Sequence, residues 1–373
     1  MLTQAFDRLS PILLSRYERL LRREFAVSPE LADLHKDHLE YALRDHNLPR
    51  PVLAYFGYHA RSNKVAFDDV GNIGDGLLIP QLLRDFLAIH DDIVDEDLEK
   101  FGKPPLPVMF STRHGEGAQL TKAGKDFALY YGDLLMSVLL RVIAAVEPPA
   151  HSTALTRVVA DTLHMTQRGQ LAELLIGDKP LGQVTVSDLL TIYERKAAYY
   201  CYSFPFEVGV RLAGHSPDVA DAVRPVLLRI GVTSQLIDDI TGAFPGIVDE
   251  DKDTLGELAH LRRTVLLILL AQQDMPDPIR ARLAAKPPLS LTEAERLRVE
   301  LWDSPVPTLA LQLCQDLLSD IQPQMSGLPL GIATSEYVDD LIQHRLEGSI
   351  ARLRSALAPL GKSSHSPLES NSF

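Results

Sequence analysis

Helical periodicity runs through almost the whole chain and leaves little room for any other secondary structure. Apolar residues recur at i, i+3, i+4 and i+7 over 9–21, 77–95, 127–146, 154–176, 186–212, 218–241, 262–273 and 335–357. That spacing places apolar side chains along one face of an α-helix. Alternating strand patterns closed by hairpin turns are scarce, and Pro and Gly gather between the periodic stretches, at 102–107, 147–149, 244–246, 276–278 and 287–288. The pattern predicts an all-α fold of ten or more helices. With 46% apolar residues among 373, the chain can build one large core or two modest ones and is not disordered throughout. Residues 362–373 (KSSHSPLESNSF) read as a flexible C-terminal tail, which leaves 1–361 as a single domain.

Charge and cysteine content narrow the function. Thirty-seven Lys and Arg against 50 Asp and Glu give a net charge of −13, a poor bulk partner for nucleic acid or an anionic membrane. Any anionic substrate then needs a local cluster of cations or metal ions. Cys201 and Cys314 are too few for a disulfide framework and fit a reducing compartment. The longest strongly apolar stretch, 264–271 (TVLLILLA), falls well short of the ~20 residues of a transmembrane span. The N-terminus mixes charged and apolar residues and lacks an export signal's continuous apolar region. The expectation is a soluble, cytoplasmic protein with no transmembrane segment and no nucleic-acid partner.

Two helix ends carry the chemistry. Residues 85–97 read DFLAIHDDIVDED, and Asp91 and Asp95, four apart, share a helical face with Asp92 beside them. Three carboxylates there repel one another and oppose the helix dipole, so a bound cation would stabilise them. Oxygen ligands suit Mg²⁺, which keeps most of its waters and takes one or two carboxylates plus phosphate oxygens. A solvated acidic helix end explains the same residues, but a second segment, IGVTSQLIDDITG, repeats the pattern with Asp238, Asp239 and Gln235. If the two helices pack side by side, their carboxylates face each other across an apolar cavity, an arrangement suited to a Mg²⁺-bridged diphosphate with a hydrocarbon tail. Lys100, Lys196, Lys252 and Arg262 are the cations that would complete it.

In order and spacing, these motifs resemble the trans-isoprenyl diphosphate synthase (polyprenyl synthetase) family, and the farnesyl diphosphate synthases within it most of all. The resemblance runs from about Arg50 to Val265. The DDxxD motif is Asp91-Asp92-Ile93-Val94-Asp95, GQxxDL is Gly169-Gln170-Leu171-Ala172-Glu173-Leu174, and the lysine-tyrosine segment starts at Lys196 and includes Tyr200. FQxxDDxxD appears as Ser234-Gln235 through Asp238-Asp239, followed by Lys252 and by Arg262-Arg263-Thr264. The resemblance implies an antiparallel helix bundle around a central apolar cavity, a homodimer, and three Mg²⁺ ions. It implies that Asp91, Asp95 and Asp238 ligate metal, with Asp92 and Asp239 in support. Lys196, Lys252 and Lys100 would contact the allylic diphosphate, with Gln170, Gln235 and Arg262 completing that site. Of the rings at Tyr199, Tyr200, Tyr202, Phe204 and Phe206, most fit a core, while Tyr200 above all could stabilise a carbocation. Phe86 and Leu87, five and four residues before Asp91, would form the floor that limits the prenyl group to about ten to twenty carbons.

The departures concentrate on the second substrate. The family's isopentenyl diphosphate grip, GGKRxRP, here reads Asp45-His46-Asn47-Leu48-Pro49-Arg50-Pro51, so only Arg50 remains of its cations. Phe101 replaces an arginine of RRGxP, and Arg84 is a basic residue where the family often has His or Gln. Three implied activities follow: elongation with isopentenyl diphosphate, with Arg84 and Lys103 compensating; prenyl transfer to another acceptor; or a class I-type terpene cyclase with no second substrate. A non-catalytic partner subunit would have no need of the aspartates. His35 and His38 lack the further ligands of a zinc site, and Gly71, Gly74 and Gly76 do not form a nucleotide loop.

Overall fold

The computed structural model describes residues 1–44, 47–67, 70–100, 102–114, 120–244, 255–284 and 288–358. Their secondary structure is helical, joined by turns and loops, with no strand among the described residues and a single isolated bridge between Lys100 and Lys103. In chain order the α-helices are α1 (Leu2–Phe25), α2 (Ala32–Ala42), α3 (Pro49–Tyr58), α4 (Val70–Ile73), α5 (Ile79–Asp95), α6 (Leu106–His114), α7 (Lys122–Ala144), α8 (Pro149–Gly177), α9 (Val186–Tyr193) and α10 (Phe204–Leu212). They continue with α11 (Pro217–Ala243), α12 (Leu255–Ala259), α13 (Val265–Ala271), α14 (Asp277–Leu283), α15 (Leu291–Asp303), α16 (Val306–Ser319), α17 (Gln322–Met325), α18 (Ile332–Leu341) and α19 (Gly348–Leu357).

Local chemistry sets several of these boundaries. Thr121, Thr185, Thr264 and Ser290 each accept a backbone N–H in the first turn of the helix they precede, and Thr185 and Ser290 form full capping boxes with Asp188 and Glu293. Thr264 thereby starts α13 at Val265, three residues later than the periodicity of 262–273 predicts. The expected helix over 186–212 is also broken. After α9 the backbone winds as a π-helix from Glu194 to Ser203, and α10 resumes at Phe204. Pro205, in the first turn of α10, has no N–H to donate, so an unbroken ladder cannot run through it. A second π-helical stretch, Ile342–Glu347, separates α18 from α19, and nothing in its local sequence accounts for it.

The helices group into two compact units, each with its own core. The first comprises Met1–Asp161, Tyr202–Ala222 and Pro329–Val338. In it α5 packs on α6 and α7, and α3 packs on α1 and α10. The α3–α10 approach is so close that a Cβ at Gly209 would lie 1.9 Å from the Ala54 carbonyl oxygen. Phe56 stacks on Tyr337 at 3.9 Å, both fully buried. α7 is, among the described residues, the one helix long and apolar enough to cross a membrane. It buries Ala128, Leu135, Leu139 and Ile143 within this unit and exposes Phe127, Leu129, Tyr130 and Leu140.

The second unit comprises Thr162–Cys201, Val223–Leu328 and Asp339–Phe373. There α13 packs against α9 and α16, α16 against α19, and α12 against α15. Most of the apolar run of α13 is core, with Val265 through Ile268 at 1% exposure or less.

Candidate functional site

The first aspartate cluster ends α5. Glu96 adopts a left-handed conformation (φ 55°) that stops the helix, and a turn closed by the Lys100 N–H to Lys103 O bond folds the chain back. That turn brings the Lys100 ammonium to 2.5 Å from Asp92 Oδ1, while the Tyr41 hydroxyl donates to Asp92 Oδ2 at 3.4 Å. Asp92 is fully buried by these partners, whereas Asp91 and Asp95 are half-buried. Burial pushes the Asp92 carboxyl up, against the pull of Lys100. Burial lowers Lys100, but Asp92, Tyr41 and Asp91 together outweigh it and hold the ammonium above its ordinary value. Lys100, expected on a diphosphate, is thus bound to Asp92.

About two turns deeper, α5 carries a polar cluster with no counterpart in the sequence reading. Asp85 is fully buried and accepts hydrogen bonds from Tyr17, from Gln81 Nε2 at 3.1 Å and from Arg84 Nη1 at 3.0 Å, with His38 Nε2 at 3.7 Å. Burial alone would raise its carboxyl; His38, Arg84 and Tyr17 outweigh that and hold it below the usual range. Arg84 also lies 5.8 Å from the Tyr41 ring centroid. Burial raises the Tyr41 hydroxyl to about 12. Phe86 is half-buried with its ring 4.4 Å from that of His90, whose Nδ1 pairs with Phe86 O, and Leu87 is buried. Arg50 stands half-buried in the first turn of α3, while Leu48 before it is fully buried at φ 43°. His35 hydrogen-bonds Ser28 and Tyr131 inside an aromatic cluster, as a structural histidine does.

The second aspartate pair ends α11 in the other unit. Asp239 accepts from the Tyr193 hydroxyl and from Gln235 Nε2 at 3.0 Å. Tyr193 closes α9 and is itself fixed, because its oxygen accepts the Val265 N–H at 3.3 Å. Burial, then Asp239, pushes its hydroxyl well above the ordinary value. Asp238 is half-buried with Arg345 Nη2 at 3.8 Å. Lys196, on the π-helical stretch, donates to Glu173 at 2.5 Å. The glycine of the GQ motif has a steric reason here: a Cβ at Gly169 would lie 2.6 Å from the Lys196 amide nitrogen. Gln170, Tyr200 and Arg262 are half-buried in this unit, and Arg263 binds the carbonyls of Gly177, the last residue of α8, and of Lys179 just beyond it. Lys252, Asp45, His46, Phe101 and the tail 362–373 lie outside the described residues.

Half-buried carboxylates on helix ends are hard oxygen donors of the type Mg²⁺ takes, so the residues fit that ion. Among the described residues no three acidic, His or Cys side chains are gathered closely enough to hold an ion by themselves, and Mg²⁺ ordinarily completes its shell with water and phosphate oxygens.

An all-helical fold with two helix-terminal aspartate pairs defines a protein of the isoprenyl synthase type. The polyprenyl synthetase family model matches residues 47–288, and the chain belongs to that family. It is 25% identical over 216 residues to (2E,6E)-farnesyl diphosphate synthase of Mycobacterium tuberculosis, covering 58% of this chain and 54% of that protein. It is 28% identical over 161 residues to geranylgeranyl diphosphate synthase of Methanosarcina mazei, covering 43% of this chain and 45% of that one. The match therefore spans about half the length of these relatives. In fold it resembles geranylgeranyl pyrophosphate synthase of Corynebacterium glutamicum, solved with isoprenyl diphosphate and magnesium (TM-score 0.80, 17% identity, 92% of this chain and 99% of that one). The decaprenyl diphosphate synthase of Rhodobacter capsulatus is similar at TM-score 0.70 and 17% identity over 92% of this chain and 99% of that one.

Proposed function

We propose that the protein is a Mg²⁺-dependent trans-prenyltransferase that ionises an allylic prenyl diphosphate of about ten to twenty carbons. The prenyl group then passes to isopentenyl diphosphate or to a non-standard acceptor. The observation that carries this reading is the common state of the two aspartate pairs. In each, the second carboxylate accepts from a buried tyrosine and from one further donor, and the first stands half-buried near the helix end. Asp91, Asp95 and Asp238 would hold the metal. When bound, Mg²⁺ neutralises charge developing on the leaving diphosphate. Cleavage of the allylic C–O bond sends its electron pair out with that group, an electron pair of the acceptor forms the new bond to the cation, and the acceptor then gives up a proton to the released diphosphate, while apolar walls exclude water.

The acceptor is the open choice within this reading, and Leu48 bears on it. Its side chain is fully buried and offers no charge where the resembled family carries an arginine. Each charge-assisted phosphate contact contributes roughly 1.5–3 kcal/mol, so a site short of several binds isopentenyl diphosphate weakly. This favours another acceptor over ordinary elongation. A homodimer in the cytoplasm is the expected state, with the exposed apolar side chains of α7 available to a second copy.

The deciding experiment is incubation with geranyl or farnesyl diphosphate and Mg²⁺, with and without isopentenyl diphosphate, followed by mass spectrometry. Longer diphosphates mean elongation, and prenylated products of an added neutral acceptor mean transfer. Hydrocarbons or alcohols alone mean cyclisation, and no consumption of either diphosphate would overturn the enzyme reading.

A further inference from the structure

Two adjacent residues on a helix point about 100° apart, so a consecutive aspartate pair cannot present both carboxylates the same way. One of the two has to be disposed of, and its position decides where the other stands. In the second pair that work falls to Tyr193. A phenol has one proton and two lone pairs. The Tyr193 oxygen already accepts the N–H of Val265, at the orphan N-terminus of α13, so its proton is directed to Asp239. The ring is buried, 6% exposed, at the last position of α9, which leaves the hydroxyl little freedom to turn elsewhere. Gln235 Nε2 takes the other carboxylate oxygen. Together the two donors fix both oxygens of the Asp239 carboxylate. The first pair is tied down with Lys100 as main anchor and Tyr41 at a longer 3.4 Å.

We propose that Tyr193 is a positioning residue: it holds Asp239 against α9 and α13 and thereby presets Asp238 for Mg²⁺ and a diphosphate. Nothing in the aspartate motif or its spacing points to this tyrosine. The inference rests on the function proposed above, and its test separates the two.

The probe is inorganic diphosphate with Mg²⁺, titrated calorimetrically into wild type, Tyr193→Phe, Asp239→Asn and the double variant, with apo melting temperatures recorded in parallel. Tyr193→Phe removes one oxygen and keeps the ring. It should raise the Mg²⁺ concentration for half-saturation about tenfold, whereas Asp239→Asn, once made, should leave Tyr193→Phe little further effect. Such non-additivity is the signature of action through a shared partner. Unchanged half-saturation in Tyr193→Phe, or effects that simply multiply in the double variant, would overturn the positioning role. A fall in apo melting temperature with metal-dependent binding intact would do the same, reducing Tyr193 to a packing residue. Wild-type protein that binds no diphosphate in Mg²⁺ would overturn the function itself, and the clamp with it.

Discussion

Asp91 and Asp238 occupy equivalent places in their pairs, and the same substitution should act on both. Asp91→Ala or Asp238→Ala removes a proposed metal ligand, so turnover should fall well over tenfold, the metal contribution being worth several kcal/mol. Apo stability should stay within about 0.5 kcal/mol, because a carboxylate leaves a mutually repelling surface cluster and the Arg345 contact to Asp238 is exposed. Thermal melting of the apo variants beside their turnover rates checks both halves. Asp85 should behave in the opposite way. It is fully buried among Tyr17, Gln81, Arg84 and His38, and Asp85→Asn leaves Arg84 beside a neutral amide. The expected cost is about 3 kcal/mol at neutral pH, read by urea denaturation. Since its folded-state value is depressed, the charged form stabilises the fold above the ordinary value of about 4, and that contribution drains away as pH falls through the folded-state value. The variant should lack this part of the acid transition.

At the scale of elements, α5 and the π-helical stretch Glu194–Ser203 are the sensitive pieces. Phe86 lies one turn from the aspartates and is only half-buried, so Phe86→Ala should cost about 2 kcal/mol, less than the roughly 3–5 of a fully buried phenylalanine. If Phe86 is the floor of the prenyl site, mass spectrometry will find longer chains accepted or made. A destabilised variant with unchanged chain-length preference would assign Phe86 to packing alone. Gly169→Ala is the companion test on the other element. Its Cβ would meet Lys196 backbone at 2.6 Å, and backbone cannot yield as a side-chain tip can. The substitution should cost about 1–3 kcal/mol and displace Lys196 from Glu173, seen as a lowered melting temperature together with a raised KM for the allylic diphosphate.

For the whole molecule, Mg²⁺ and diphosphate together should raise the melting temperature by mass action. At a hundredfold excess over Kd the gain is about 2.7 kcal/mol, and EDTA should abolish it. Much of the architecture was legible in one dimension. Helical content follows from the 3.6-residue repeat, because periodicity is a local property of the chain, whereas the caps at Thr264 and Ser290 set the starts of α13 and α15 where periodicity alone did not place them. The aspartate pairs were legible for the same reason: consecutive or four-apart carboxylates fall near one another on any helix. What the pattern could not supply are partners brought in from a distance in sequence. Asp92 faces inward because Tyr41, 51 residues away, and Lys100 meet it there. Asp239 is held by Tyr193, 46 residues away, and Asp85 by Tyr17, 68 residues away. The π-helical break after Tyr193 and the deployment of Lys100 and Lys196 on carboxylates belong to the same class. Charge and spacing along the sequence determine which residues are available to a site, but which of them are spent on one another depends on packing between helices, and only the tertiary structure decides it.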